Sequence, residues 1–117
     1  MGRERAMKWA KSPSPDRIVR RIEEHEVWVG ELDGAVIGWV EIDGDRLRGM
    51  YVRPDLSGRG LGSALRAHAE KRIVSDGHRA VYLSASWNAE PFYFRNGYQA
   101  LADRPADTAR PMVKHLI

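Results

Sequence analysis

The chain has 117 residues, of which 43% are apolar and 30% charged, with a formal net charge of +3; that length suits one domain with one core, and the composition is too apolar for a disordered segment. It contains no cysteine, which excludes disulfide staples, thiolate metal sites and a cysteinyl nucleophile. No apolar stretch approaches the roughly 20 residues of a spanning helix, and the N-terminus lacks the apolar run of a signal peptide, so no membrane is involved and the cytoplasm is the expected location.

Residues 1–13 mix basic side chains with Trp9 and support at most a short helix around Arg3 to Lys11. Ser14-Pro15-Asp16 offers a serine cap, a proline at the first helical position and an acid in the first turn. It predicts a helix from Pro15 to about His25, with Ile18, Val19 and Ile22 inward and Arg17, Arg20 and Arg21 on the opposite, solvated face. From Glu26 the period changes. EVWVGEL and AVIGWVEI flank Asp33-Gly34, a hairpin signal, and Asp43-Gly44-Asp45 turns the chain again into RLRGMYV, giving three antiparallel strands that end at Val52. Pro54 forbids continuation as a central strand.

Beyond Gly58, the positions Leu61, Ala64, Leu65, Ala69, Ile73 and Val74 recur at helical spacing as far as Asp76-Gly77, where glycine supplies a left-handed cap. AVYLSAS alternates as a strand. Asn88 then reads as the N-cap of a short helix with Pro91 in its first turn and Gly97 as its terminator, before a last strand pair in YQAL and ARPMVKHL. Helix, three strands, helix, strand, helix and two strands make one α/β (α+β) domain over residues 1–117, with helices packed on a mixed sheet.

The chemistry concentrates in SGRGLGS, residues 57–63. Gly58, Gly60 and Gly62 clear side chains from a turn that opens a helix, so backbone N–H groups can converge on an anion at the positive end of the helix dipole, with Arg53 and Arg59 beside them. A tight turn alone is the bland alternative. As a phosphate site it lacks the lysine of a nucleoside-triphosphate loop, since Ser63-Ala64 follows Gly62; it also lacks the glycine spacing and βαβ start of a dinucleotide fingerprint.

Met50-Tyr51-Val52-Arg53-Pro54 leading into Ser57 to Leu65 closely resembles motif A of the GNAT acetyltransferase superfamily, and Asn88 through Tyr98 resembles its motif B, in the same order and at a fitting distance. The resemblance implies a mostly antiparallel mixed sheet with flanking helices and a splayed parallel pair, here strands 46–53 and 80–86, with acyl-pantetheine in the opening. It implies that the backbone at Tyr51 and Val52 bonds the pantetheine, that Ser57, Gly58, Arg59, Gly60, Leu61, Gly62 and Ser63 hold the pyrophosphate, and that Asn88 and Tyr93 sit near the thioester. Tyr93 would be the general acid for the departing thiolate; as plain structure it would be a core aromatic, and Asn88 a helix cap only. Two departures stand out: Ser57 occupies a position where the family usually has glutamine or arginine, and residues 1–25 are too short for the strand and two helices that usually precede the first hairpin. A small, bacterial-type member with a shortened N-terminal region would need its acceptor wall from elsewhere, for instance from a homodimer.

The function so implied is acetyl-CoA-dependent N-acetyltransfer, without an enzyme-bound intermediate, to a primary amine of a small molecule, peptide or protein. The strand 46–53 carries no carboxylate, leaving Glu31, Glu41, Asp43 or a water chain as base. That gap motivates one alternative, a non-catalytic acyl-CoA-binding module. Arginine clusters at 17–21 and 46–59 motivate another, an RNA-directed protein, although no aromatic spacing forms a base-stacking platform and nucleic acid is the weaker partner. His25, His68, His78 and His115 lack metal-ligand spacing, so no metal is expected.

Overall fold

The computed structural model describes residues 17–22, 26–56, 60–102 and 109–116. Among the described residues, seven strands form one sheet in the order β1-β2-β3-β4-β5-β7-β6. The meander of β2 (Glu26–Leu32), β3 (Ala35–Asp43) and β4 (Arg46–Val52) matches the sequence reading. Its first turn places both Asp33 and Gly34 at positive φ, 52° and 83°, the mirror-image turn whose twist suits a hairpin. Two helices follow: α1 (Leu61–Ser75) before β5 (Ala80–Ala85), and α2 (Glu90–Arg95) before β6 (Gln99–Ala100) and β7 (Arg110–His115).

The first element differs from its expectation. Instead of a helix from Pro15 to His25, residues Arg17–Ile22 form β1, antiparallel to β2 with Ile18 opposite Gly30 and Val19 opposite Val29. The β-branched Ile18, Val19 and Ile22 lose rotamer freedom in a helix and suit a pleated surface, and β2 would otherwise leave an open edge. The cap signal Ser14-Pro15-Asp16 and the helix considered around Arg3 to Lys11 lie outside the described residues.

α1 lies on the sheet along one stripe. Leu61, Leu65, Ala69 and Ile73, spaced by four, are all fully buried, against Val40, Ile42 and Leu47 of the meander and Val81 and Leu83 of β5. Each buried Leu or Ile side chain contributes about 1.5–3 kcal/mol. The helix closes at Asp76 and Gly77, whose N–H groups donate to the carbonyls of Arg72 and Val74. A second anchor sits at its outer flank, where the Arg72 Nε–H and the Trp28 Nε1–H both donate to Glu26 Oε2, at 2.9 and 2.6 Å, and the Trp28 ring meets His68 edge-on.

β4 and β5 are the parallel pair, and they touch at one register only, Arg46 opposite Tyr82, with the Tyr82 N–H donating to the Asp45 carbonyl at 3.0 Å. β4 then stays with β3, Arg53 N–H bonding the Ile37 carbonyl, while β5 pairs with β7 along its whole length. The sheet therefore opens between the C-terminal halves of β4 and β5.

Close approach at Gly38 keeps α1 tight on this half of the sheet. A Cβ there would meet the Tyr51 carbonyl oxygen at 2.6 Å and Leu65 Cδ1 at 2.9 Å, and the first of these is backbone and does not yield. Gly38→Ala is expected to destabilise the fold by about 1–3 kcal/mol through overpacking, seen as a lower urea midpoint at an unchanged slope.

Candidate active site

The opening between β4 and β5 continues into a cleft of about 640 Å³. Met50 and Val52 of β4 form one wall, Gly60, Gly62 and Ser63 at the head of α1 form its end, and Phe92, Tyr93 and Asn96 of the α2 segment form the other wall. Gly60 caps α1 at φ 90°, a left-handed position that glycine takes without strain, and no side chain caps the helix there. The first amides of α1 have no intrahelical acceptor, so they remain as donors at the end of the cleft. Gly62 is open on that side: a Cβ would meet Phe92 Cζ at 3.5 Å and Val52 Cγ2 at 3.7 Å, so any longer side chain would reach into the space between the walls.

Of the residues expected at the site, Val52, Gly60, Gly62, Ser63 and Tyr93 line the cleft. Leu61 is fully buried in the core, so only its backbone can serve a ligand. Tyr51 is 44% exposed and stacks on Trp39, ring centroids 6.3 Å apart, with its side chain outside the cleft lining. Asn88 is exposed in the turn before α2 and does not line the cleft. Its expected capping role is corrected by the geometry: Ala89 occupies the N-cap position without a side-chain cap, and the Ala89 and Glu90 N–H groups both donate to the Ser86 carbonyl, at 3.0 and 3.1 Å. Pro91 starts the helix by its fixed φ, which leaves the cap weakly specified. Ser57, Gly58 and Arg59 lie outside the described residues.

Tyr93 is 6% exposed and its ring is edge-on to both Phe92 and Tyr98, at 5.1 and 5.3 Å. Burial pushes its phenol up to about 12, the Arg66 guanidinium pulling down and the Glu70 carboxylate pushing up by lesser amounts. It is therefore a protonated donor throughout the neutral range. Behind it lies a polar cluster that sequence reasoning missed. Glu70, 8% exposed, accepts from the Tyr98 hydroxyl at 2.9 Å, from Arg66 Nη1 at 2.7 Å and from Lys114 Nζ at 3.1 Å. Tyr98 is also shifted upward, by burial first and then by the charge and hydrogen bond of Glu70. Arg66 and Glu70 stand at i, i+4, a legible helix pair, but nothing local joins them to Tyr98 or Lys114.

Glu31, Glu41 and Asp43 do not line the cleft, and Asp43 sits 3.7 Å from Arg48 at the far turn. His68 is shifted downward, by burial first and then by Arg72, and packs on Trp28. Among the described residues no three His, Asp or Glu side chains gather as a metal site, and no helix is long and apolar enough to cross a membrane.

Comparisons with known proteins agree on the architecture. A family model described as acetyltransferase (GNAT) domain matches residues 1–113. Among solved structures, a protein described as a GCN5-related N-acetyltransferase (aminotransferase, class-II) from Rhodopseudomonas palustris is 27% identical, with a TM-score of 0.74 over 80% of this chain and 62% of that one. PaiA N-acetyltransferase from Thermoplasma acidophilum, solved in complex with coenzyme A, is 22% identical, with a TM-score of 0.65 over 76% of this chain and 59% of that one. Tetrahymena GCN5 is 15% identical, with a TM-score of 0.70 over 82% of this chain and 71% of that one. The chain thus spans about three-fifths of the length of the first two. No curated protein sequence matches it.

The raised phenols fix a pH dependence. In the unfolded chain tyrosines release their protons near pH 10, whereas Tyr93 in the folded chain holds its proton to about 12. The unfolded state then binds fewer protons, so the contribution is fully present below about pH 10 and is lost as pH rises through the folded value. Urea midpoints should fall between pH 10 and 12, and the fall should be smaller in Tyr93→Phe.

Proposed function

Because the chain belongs to the GNAT acetyltransferase family, we propose that it moves an acetyl group from acetyl-coenzyme A directly to a primary amine of a small molecule, peptide or protein. The observation that carries this reading is the conjunction, in one cleft, of a sheet opened between β4 and β5, free helix-start amides at Gly60 to Ser63 and a buried, protonated Tyr93. Coenzyme A in the Thermoplasma relative supports the choice of donor. The residues fit such a donor: the amides at the head of α1, with Ser57, Gly58 and Arg59 before them, would hold the pyrophosphate, and the β4 backbone at Tyr51 and Val52 would take the pantetheine, with Asn88 nearby in the turn before α2.

The donor supplies an activated acetyl thioester. The chain has no cysteine to accept the acetyl group covalently, so the amine attacks within a ternary complex. Tyr93 donates its proton to the departing sulfur. The acid is suited to that task by being neutral at working pH and by standing in a wall of apolar rings that excludes water, where positioned proton donors contribute about 10²–10⁴-fold. The cytoplasm is the proposed setting, and a second copy of the chain the proposed source of any missing acceptor wall.

Tyr93→Phe keeps the ring packing and removes the proton. Release of free thiol from acetyl-coenzyme A in an amine panel should fall by about 10²-fold, with the calorimetric affinity for acetyl-coenzyme A unchanged. Undiminished thiol release would remove Tyr93 from the mechanism. Binding of acetyl-coenzyme A without thiol release from the native chain, with any amine, would favour the acyl-CoA-binding module instead.

A further inference from the structure

The polar cluster behind the cleft carries an uneven charge. Arg66 and Lys114 both lean on the single carboxylate of Glu70, at 2.7 and 3.1 Å, so two cations share one anion. The Arg66 side chain is only 13% exposed, and its Nε–H is buried with no hydrogen-bond partner. Buried donors are paired in the great majority of native structures, so this one calls for an explanation. Its surroundings supply one. Glu70 on its own helix also accepts from the Tyr98 hydroxyl and from Lys114 on β7, and the Tyr98 ring meets Tyr93 of α2 edge-on at 5.3 Å, so Arg66 and Tyr93 belong to one packed cluster. Tyr98 has its hydroxyl tied to Glu70 and presents its ring to Tyr93, and of this group it is Tyr93 that lines the cleft.

Resting on the reading of Tyr93 as the proton donor, we propose that Arg66 is a positioning residue acting through Tyr93: its guanidinium stabilises the phenolate that forms when Tyr93 gives up its proton. In the transfer, the amine nitrogen bonds to the thioester carbon and the carbon–sulfur bond breaks with its electron pair on sulfur. Sulfur takes the Tyr93 proton, and the phenolate is reprotonated, through solvent, by the proton that the acetylated nitrogen sheds. A buried phenolate is the costly species in this sequence, and a fixed cation beside it lowers that cost without rearrangement, because Glu70 already holds the guanidinium from one turn along α1. Burial raises the Tyr93 phenol, and among the charges acting on it Arg66 is the one that lowers it. Glu70 accepts from both Arg66 and Lys114, so the cluster does not carry two uncompensated cations.

The test replaces Tyr93 by 3-fluorotyrosine, whose phenol ionises at lower pH, and follows its midpoint by fluorine NMR in otherwise native chain. Arg66→Met should raise the midpoint by about one unit, Glu70→Gln should lower it by about one unit, and Arg66→Lys should restore most of the native value. A role in packing alone gives no reason for these opposite signs. A folded Arg66→Met chain with an unmoved midpoint would overturn the proposal. Should Arg66→Met fail to fold, Glu70→Gln and Arg66→Lys carry the test, and an unmoved Glu70→Gln midpoint overturns it.

Turnover separates this inference from the reading it rests on. With benzylamine as the amine, Arg66→Met should lower kcat about tenfold at an unchanged KM for acetyl-coenzyme A, and should cause no further loss in the Tyr93→Phe background. A loss that persists in that background overturns the role of Arg66 and leaves Tyr93 standing. Native turnover by Tyr93→Phe overturns the donor reading, whatever Arg66→Met does.

Discussion

The single backbone contact between β4 and β5 is the constraint on which the rest depends. Neighbouring strands inside a sheet ordinarily pair along their length, and here two of them meet at one register, Arg46 opposite Tyr82, then part. The partners that β4 and β5 take instead explain the parting. β4 follows β3 as a meander through Val52, and β5 is committed to β7 over six residue pairs, so each strand twists with its own partner. The edge of β4 beyond Arg46 that does not pair with β5 is left as a row of backbone donors and acceptors facing an opening. α1 begins at that opening and brings its own unpaired amides. One topological feature therefore supplies both backbone ladders that an extended, anionic thioester can use.

Packing then fixes what the opening can do. Four core residues of α1 at spacing four hold its head against Gly38, and Gly62 leaves room for a ligand where Phe92 and Val52 converge. α2 is short, but its rings are locked edge to edge through Tyr93 and Tyr98, and Tyr98 is fastened to Glu70 across the sheet order. The same burial that packs Tyr93 into the cleft wall raises its phenol, so the residue stays protonated. The charges beneath work against that rise in the case of Arg66 and with it in the case of Glu70.

The sequence made the hairpins, the long helix, the final strand pair and the general form of the cleft legible, because each rests on local chemistry: Asp33-Gly34 sets a turn, Leu61 to Ile73 set a stripe, and Gly60 and Gly62 clear a helix start. β1 was not legible. Its β-branched residues compete with a helix-cap signal just upstream, and the edge of β2, a partner distant in sequence, decides the outcome. Asn88 is a good capping residue in the wrong place by one position, since the chain satisfies the α2 start with the Ser86 carbonyl. The Glu70 cluster joins residues 28 and 44 positions apart, and no periodicity encodes such a meeting.

The central claim, that the opening between β4 and β5 takes an acyl-coenzyme A against the head of α1, is most directly tested by calorimetric titration of acetyl-coenzyme A into the native chain and into Gly62→Phe, with NAD and ATP as controls. The account predicts saturable binding to the native chain, none of comparable strength for NAD or ATP, and loss of binding in a folded Gly62→Phe chain, whose ring fills the space between Val52 and Phe92. Absence of acetyl-coenzyme A binding to the native chain, or undiminished binding to Gly62→Phe, would contradict it.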